Sequence, residues 1–166
     1  IEGLSNFVNK YEKWILKKQI PIANDEGKDD TEIAYEMVEH QKRAKKRMES
    51  GVLLLKTDQN CFDAFLLANR AMLMQMENSD SLENKRHIRA EYKWRPFQLA
   101  FILLALESTI NQDSEFRETL DLIWFPTGGG KTEAYLGLLA FLFIYRRLTY
   151  TESGGGTVAI MRYTLR

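Results

Sequence analysis

The sequence is poor in cysteine, has no excess charge of either sign and has no apolar run long enough to cross a bilayer. Its one cysteine, Cys61, excludes an intrachain disulfide and a multi-cysteine zinc site. The 23 basic residues equal the 23 acidic ones, which excludes a polycation that binds nucleic acid by bulk charge alone. The two strongest apolar runs, residues 97–106 and 134–145, are shorter than the roughly 20 residues that a membrane helix needs. They predict buried helices and no membrane partner.

The remaining composition is typical of a folded protein. Apolar residues make up 45% of the 166 residues, which argues against wholesale disorder. The length fits one ordinary domain of roughly 100–200 residues. No secretory pattern is present at the start, so we expect a cytoplasmic protein. The chain starts at Ile1 rather than Met and stops at Arg166 directly after a strand-like run, and we therefore expect a piece of a longer protein.

Residues 1–93 have the pattern of a mainly α-helical extension. Apolar residues at helical spacing predict helices over residues 5–19, 31–50 and 60–76. Gly51 suits the end of the second helix, and residues 51–56 fit either a strand or a helix. The basic run at 42–47 complements the macrodipole of that helix on a solvated face. The alternative is that it contacts a phosphate backbone.

Residues 94–166 have the pattern of an α/β unit. A short continuous apolar run at 122–125 is typical of a strand that is buried on both faces. A glycine triplet and an apolar helix over 131–148 follow, and a second triplet leads into the β-rich run at 157–161. The order strand, helix, strand predicts parallel pairing with a right-handed crossover.

The sharpest feature is Phe-Pro-Thr-Gly-Gly-Gly-Lys-Thr at residues 125–132, between the predicted strand and the predicted helix. A helix N-terminus attracts anions, and glycines let the backbone wrap a phosphate. Lys131 would bring a cation to the β- and γ-phosphates, and Thr132 would offer its hydroxyl to Mg²⁺. ATP and Mg²⁺ are therefore the predicted ligands, with Thr127, Gly128, Gly129 and Gly130 forming the loop. The general pattern has glycine where this chain has Phe125, and the alternative is a glycine turn that happens to precede Lys-Thr.

Three segments in this order resemble superfamily 2 helicases. Pro-Thr-Gly-x-Gly-Lys-Thr resembles their motif I, and Arg95-Pro96-Phe97-Gln98 resembles the upstream element whose glutamine reads the adenine edge. Residues 157–166 resemble motif Ia, in which Arg162, Tyr163 and Thr164 would contact a nucleic-acid backbone. The bland alternatives are a polar residue on a helix face and the exposed end of a strand.

At a finer level, residues 124–138 and 161–166 resemble the large helicases of DISARM anti-phage defence systems. The resemblance implies an α/β, partial RecA-like P-loop domain with a parallel sheet over 94–166, preceded by the helical extension over 1–93. It also implies a DNA translocase that hydrolyses ATP and works beside defence-system proteins. The alternatives are another P-loop NTPase or small-molecule kinase, and a non-catalytic interaction module.

Two parts of a helicase cannot be assigned to any of the 166 residues. One is the acidic motif that holds Mg²⁺ and orients the attacking water, and the other is the arginine finger from a second domain. Asp121 precedes the glycine loop and cannot serve as the acidic motif. We therefore expect residues 1–166 alone to hydrolyse ATP weakly or not at all.

Overall fold

The computed structural model of the chain describes residues 1–23, 31–82, 91–126 and 128–162. Within these residues, the regular secondary structure consists of five α-helices, which are α1 (Glu2–Ala23), α2 (Thr31–Thr57), α3 (Gln59–Leu82), α4 (Pro96–Ile110) and α5 (Lys131–Thr149). None of the described helices is long and apolar enough to span a membrane.

The predicted α/β fold with a parallel RecA-like sheet is wrong for the described part of the chain, which is all-helical and contains no strand. Residues 122–125 and 157–161 lie outside the helices as irregular connections. Leu122 and Trp124 are 79% and 90% exposed, although their run is as apolar as that of a buried strand. A strand forms only when a neighbouring backbone pairs with its N–H and C=O groups. Apolar, β-rich composition does not supply that neighbour.

One hydrophobic core joins all five helices, which pack as the pairs α1–α2, α2–α3, α2–α4, α3–α5 and α4–α5. Its buried members are Val8, Met48, Val52, Leu55, Cys61, Ala64, Phe65, Ala68, Ile102, Leu103, Leu106, Phe141 and Leu142. The core thus takes side chains from both sides of the predicted boundary between residues 93 and 94. That boundary stays a prediction.

Helix α2 does not end at Gly51, as the sequence predicted, but continues to Thr57. Residues 51–56, which fitted either a strand or a helix, are therefore helical. Gly51 faces α4, where a Cβ atom would lie 2.1 Å from the carbonyl oxygen of Leu103. The glycine is required here because two helix backbones approach closely, and it does not terminate the helix.

Asp58 forms the corner between α2 and α3 and also fixes α5. Its Oδ1 accepts a hydrogen bond of 2.9 Å from the backbone N–H of Cys61, which caps the first turn of α3. Its Oδ2 accepts a bond of 3.4 Å from the hydroxyl of Tyr145. One carboxylate therefore ties the start of α3 to the last turns of α5.

Cys61 should resist thiol reagents as long as the chain is folded. Its side chain is 0% exposed, and burial together with the charge of Asp58 raises the pKa of the thiol to about 12. At pH 8 the reactive thiolate fraction is then on the order of 1 in 10,000. We expect no reaction with Ellman's reagent in buffer and full reaction in urea.

The same pKa shift gives an alkaline dependence of stability. In the unfolded chain the thiol ionises near its ordinary pKa of about 8.5. The folded chain keeps it protonated up to about 12. The free energy of unfolding therefore falls as pH rises through this window.

Rapid labelling of Cys61 by Ellman's reagent in the folded chain at pH 8 would contradict the burial of this side chain.

Candidate phosphate-binding site

The glycine loop leads directly into helix α5. Gly128 and Gly130 have φ angles of 74° and 90°, in the left-handed region that favours glycine. Gly130 is the N-cap residue of α5, and the backbone N–H of Gly129 donates to the carbonyl of Pro126 at 3.1 Å. Thr127, which the sequence assigned to the site, lies outside the described residues. The described part of the loop therefore turns directly into the N-terminus of α5, the end of a helix that attracts anions.

Lys131 is the first residue of α5, and its side chain turns back over the start of the loop. Its Nζ donates to the carbonyl oxygens of Phe125 at 2.5 Å and Pro126 at 3.1 Å. Thr132 is exposed in the next position of the same turn. The ammonium group is thus bound to loop carbonyls, and among the described residues no carboxylate would have to be displaced for a phosphate to reach it.

Arg95 and Gln98 hold the other side of the loop. The Arg95 guanidinium donates to the carbonyl of Gly129 at 2.8 Å, and the Gln98 amide donates to the carbonyl of Gly130 at 2.6 Å. Gln98 is only 4% exposed, and its Oε1 accepts the backbone N–H of Arg95 at 2.8 Å. The structure thus brings two sequence motifs together and gives Gln98 a role in fixing the loop. Adenine recognition by Gln98 stays a prediction.

Phe125 replaces the first glycine of the general phosphate-loop pattern, and the structure accommodates it in two ways. Its ring stacks on Phe97 of α4, with centroids 4.1 Å apart and planes 17° apart. Its Cδ1 lies 2.3 Å from the point where Gly129 would carry a Cβ. The aromatic ring therefore fits because Gly129 has no side chain.

A polar cavity of about 260 Å³ opens beside the loop. The loop and α5 contribute Gly128, Gly130 and Glu133, and the α4 side contributes Lys93, Arg95 and Gln98. The opposite wall is formed by the last turns of α3, through Gln75, Met76, Ser79 and Asp80. Asp80 is buried and accepts a hydrogen bond of 3.1 Å from Tyr92. Sequence reasoning missed this wall, since no motif marks α3.

Arg162 does not lie at this cavity. It lines a separate, more apolar groove that residues 159–161 form with α5 side chains Tyr135, Leu138, Leu139 and Leu142. Tyr163 and Thr164, its predicted companions, lie outside the described residues. The predicted nucleic-acid contact thus has one described member, on a different surface from the glycine loop.

Four of the five cations in the basic run at 42–47 pair with acidic side chains of the chain itself. Lys42 bonds to Glu39, and Lys45 bonds to Glu12 and Glu49, which raises the pKa of Lys45. Lys46 pairs with Glu115, and Arg47 pairs with Asp121. The predicted solvated face therefore does not include Lys45 and Arg47, whose side chains are only 19% and 7% exposed, and the pairing with carboxylates disfavours contact with a phosphate backbone.

Comparison with known proteins gives one informative similarity. The chain is 41% identical to the DISARM protein DrmA of Bacillus paralicheniformis over an alignment of 180 positions. The chain is related to a DISARM protein. The alignment covers the whole of this chain, including residues 1–93, but only 16% of the relative. No protein-family model matches the chain. The similarity confirms that the chain is related to a DISARM protein. Its membership of the helicase and P-loop classes stays a prediction.

Proposed function

We propose that this chain carries the ATP-binding element of a longer nucleic-acid-dependent ATPase of helicase type, which translocates on DNA in anti-phage defence. The defence role is supported by the similarity to DISARM protein DrmA along the whole chain. The nucleotide role is supported by the glycine loop at the start of α5 and by its cationic neighbours, Lys131 and Arg95. Because the chain spans about 16% of that relative, the activity belongs to the longer protein.

The residues present fit the triphosphate of ATP with Mg²⁺. The positive-φ glycines shape the loop, α5 directs its N-terminus at it, and Lys131 supplies the cation. No group of three or more His, Cys, Asp or Glu side chains in the described ranges could hold a metal ion. Thr132 would therefore share Mg²⁺ with phosphate oxygens, as is usual for this ion. Bound Mg²⁺ would neutralise charge on the phosphates.

The observation that carries the nucleotide assignment is the pair of hydrogen bonds from Arg95 and Gln98 to the loop carbonyls, at 2.8 and 2.6 Å. An incidental glycine turn gives no reason for a buried amide and a guanidinium to be placed on it from 32 and 34 residues away. The same contact favours a helicase over other P-loop classes, because only the helicase resemblance includes the Arg95–Gln98 element.

The experiment is to measure ATP hydrolysis by the intact protein with and without single-stranded DNA. We expect DNA to stimulate hydrolysis, and Arg162→Ala to weaken DNA binding while ATP affinity is retained. If Arg162 contacts a phosphate, the salt dependence of DNA affinity should also fall by about one unit of slope. Arg147→Ala, an exposed site near the end of α5, is the control and should change neither quantity.

Three outcomes would count against this function. Hydrolysis that DNA does not affect, with phosphoryl transfer to a small acceptor, would favour another P-loop NTPase or kinase. Absence of ATP·Mg²⁺ binding in calorimetry would leave a non-catalytic interaction module. An unchanged DNA affinity in Arg162→Ala would remove Arg162 from the nucleic-acid contact.

A further inference from the structure

A buried ion pair joins helix α2 to the segment that enters the glycine loop. Arg47 donates to both carboxylate oxygens of Asp121, at 2.6 and 2.7 Å. The side chains of Arg47 and Asp121 are only 7% and 25% exposed. A two-pronged guanidinium–carboxylate contact fixes orientation as well as distance, and removal of one partner leaves the other charge poorly solvated.

Phe116 completes the contact on the outer side. Its ring is 6% exposed, and the Arg47 guanidinium lies 5.0 Å from its centroid. Arg43 and Lys46 also lie over this ring, at 5.2 and 5.8 Å. Cations over an aromatic face are attracted by it, so Phe116 holds the basic middle part of α2 against residues 115–121.

Asp121 lies seven positions before Gly128, in a segment with little else to fix it. Residues 120–126 have no regular secondary structure. Three of their side chains are largely exposed, at 93% for Leu120, 79% for Leu122 and 90% for Trp124. Besides the Asp121 contact, the segment is held at its far end by the stacking of Phe125 on Phe97 and by the hydrogen bonds that the Phe125 and Pro126 carbonyls accept.

We propose that Arg47 is a positioning residue for the phosphate loop and acts through Asp121. Because Asp121 is fixed to α2, the segment holds Phe125 and Pro126 in a defined position. The carbonyls of those two residues accept hydrogen bonds from the Lys131 ammonium, and the carbonyl of Pro126 also accepts one from the N–H of Gly129. The N-terminal helices thereby set the geometry of the loop. The expected consequence for ATP affinity rests on the function proposed above, whereas the expected consequence for loop dynamics does not.

The test compares Arg47→Met and Asp121→Asn with the wild type in the intact protein, by hydrogen exchange of the loop amide of Gly129, whose N–H is bonded to the carbonyl of Pro126. We expect exchange about tenfold faster in both variants, with the dissociation constant for ATP·Mg²⁺ raised by a similar factor. Lys42→Met is the matched control. Its ammonium belongs to the same helix but pairs with Glu39 one turn earlier in α2, so both quantities should stay at their wild-type values.

The exchanged pair Arg47→Asp/Asp121→Arg distinguishes positioning from general destabilisation. It should restore slow exchange in the loop, because a carboxylate and a guanidinium again face each other. Exchange in α1 should remain at the wild-type rate in every variant. Unchanged loop exchange in both single variants would overturn the role of Arg47. Faster loop exchange in a protein that does not bind ATP would preserve that role and remove the proposed function.

Discussion

Replacement of Lys131 by alanine should lower ATP hydrolysis by the intact protein by about 100-fold or more, the scale on which loss of one charge-stabilising group slows an enzyme. Lys131 is the first residue of α5, and its ammonium lies at the loop carbonyls of Phe125 and Pro126. An incoming triphosphate would replace these neutral acceptors by charged ones, which form stronger hydrogen bonds. The expected loss therefore includes binding as well as turnover, and calorimetry with ATP·Mg²⁺ separates the two.

The loss should not come from unfolding. In Lys131→Ala the carbonyls of Phe125 and Pro126 lose the ammonium group as their donor. Both belong to exposed or partly exposed residues, so water can replace it. Hydrogen exchange in α3 and α5 should therefore match the wild type. Arg147→Ala removes a cation from the same helix at its other end and should retain full activity. Wild-type hydrolysis in Lys131→Ala would exclude the loop as the ATP site.

Replacement of Gly51 by alanine should be among the most destabilising substitutions in the helical core. The new Cβ would lie 2.1 Å from the carbonyl oxygen of Leu103 and 3.0 Å from its carbonyl carbon, so the α2 and α4 backbones would have to separate. Overpacking of this kind costs about 1–3 kcal/mol and occasionally more, against a helix-propensity gain of about 1 kcal/mol. Because the obstructing atoms belong to the α4 backbone, the cost should lie at the upper end of this range, and we expect a net loss of about 2 kcal/mol, measured by hydrogen exchange of the α2 and α4 amides.

Gly3 offers the matched control for this substitution. It lies in helix α1, and no atom lies within 4 Å of the position its Cβ would occupy. Gly3→Ala should therefore leave stability unchanged or raise it by a few tenths of a kcal/mol, up to about 1 kcal/mol. If Gly51→Ala and Gly3→Ala behave alike, α2 and α4 do not approach each other at Gly51.

The helices could be predicted because their signals are local. Apolar residues within single segments predicted α1, α4 and α5 to within four residues of their observed bounds, whereas α3 continues six residues past its predicted end at 76. The predicted end of α2 was wrong because a glycine can either terminate a helix or allow two backbones to approach closely. Only the position of Leu103, 52 residues later, decides between them at Gly51. The strands were wrong because pairing depends on a neighbouring backbone that no run of apolar residues can specify.

The candidate site also has a part that could be predicted from the sequence and a part that could not. A motif resemblance was sufficient to select the glycine loop, Lys131, Arg95 and Gln98, and the structure places these groups in contact. The α3 wall of the cavity and the Arg47–Asp121 pair could not be predicted. Arg47 belongs to a run of similar cations, and nothing in the sequence indicates which of them meets an aspartate 74 residues later.

The contact between Phe125 and Gly129 changes how a phosphate-loop pattern should be searched for. A search that requires glycine at the first position of the pattern, residue 125, rejects this chain. In this chain Gly129, four residues later, provides the space that a glycine at 125 would have left. The two positions are thus interdependent. An aromatic ring at 125 excludes a Cβ at 129, whereas with a smaller residue at 125 the nearest obstacle would be the carbonyl oxygen of Pro126, at 2.9 Å. Relatives of this loop are better recognised by the combined volume of the two residues than by a fixed letter at either one.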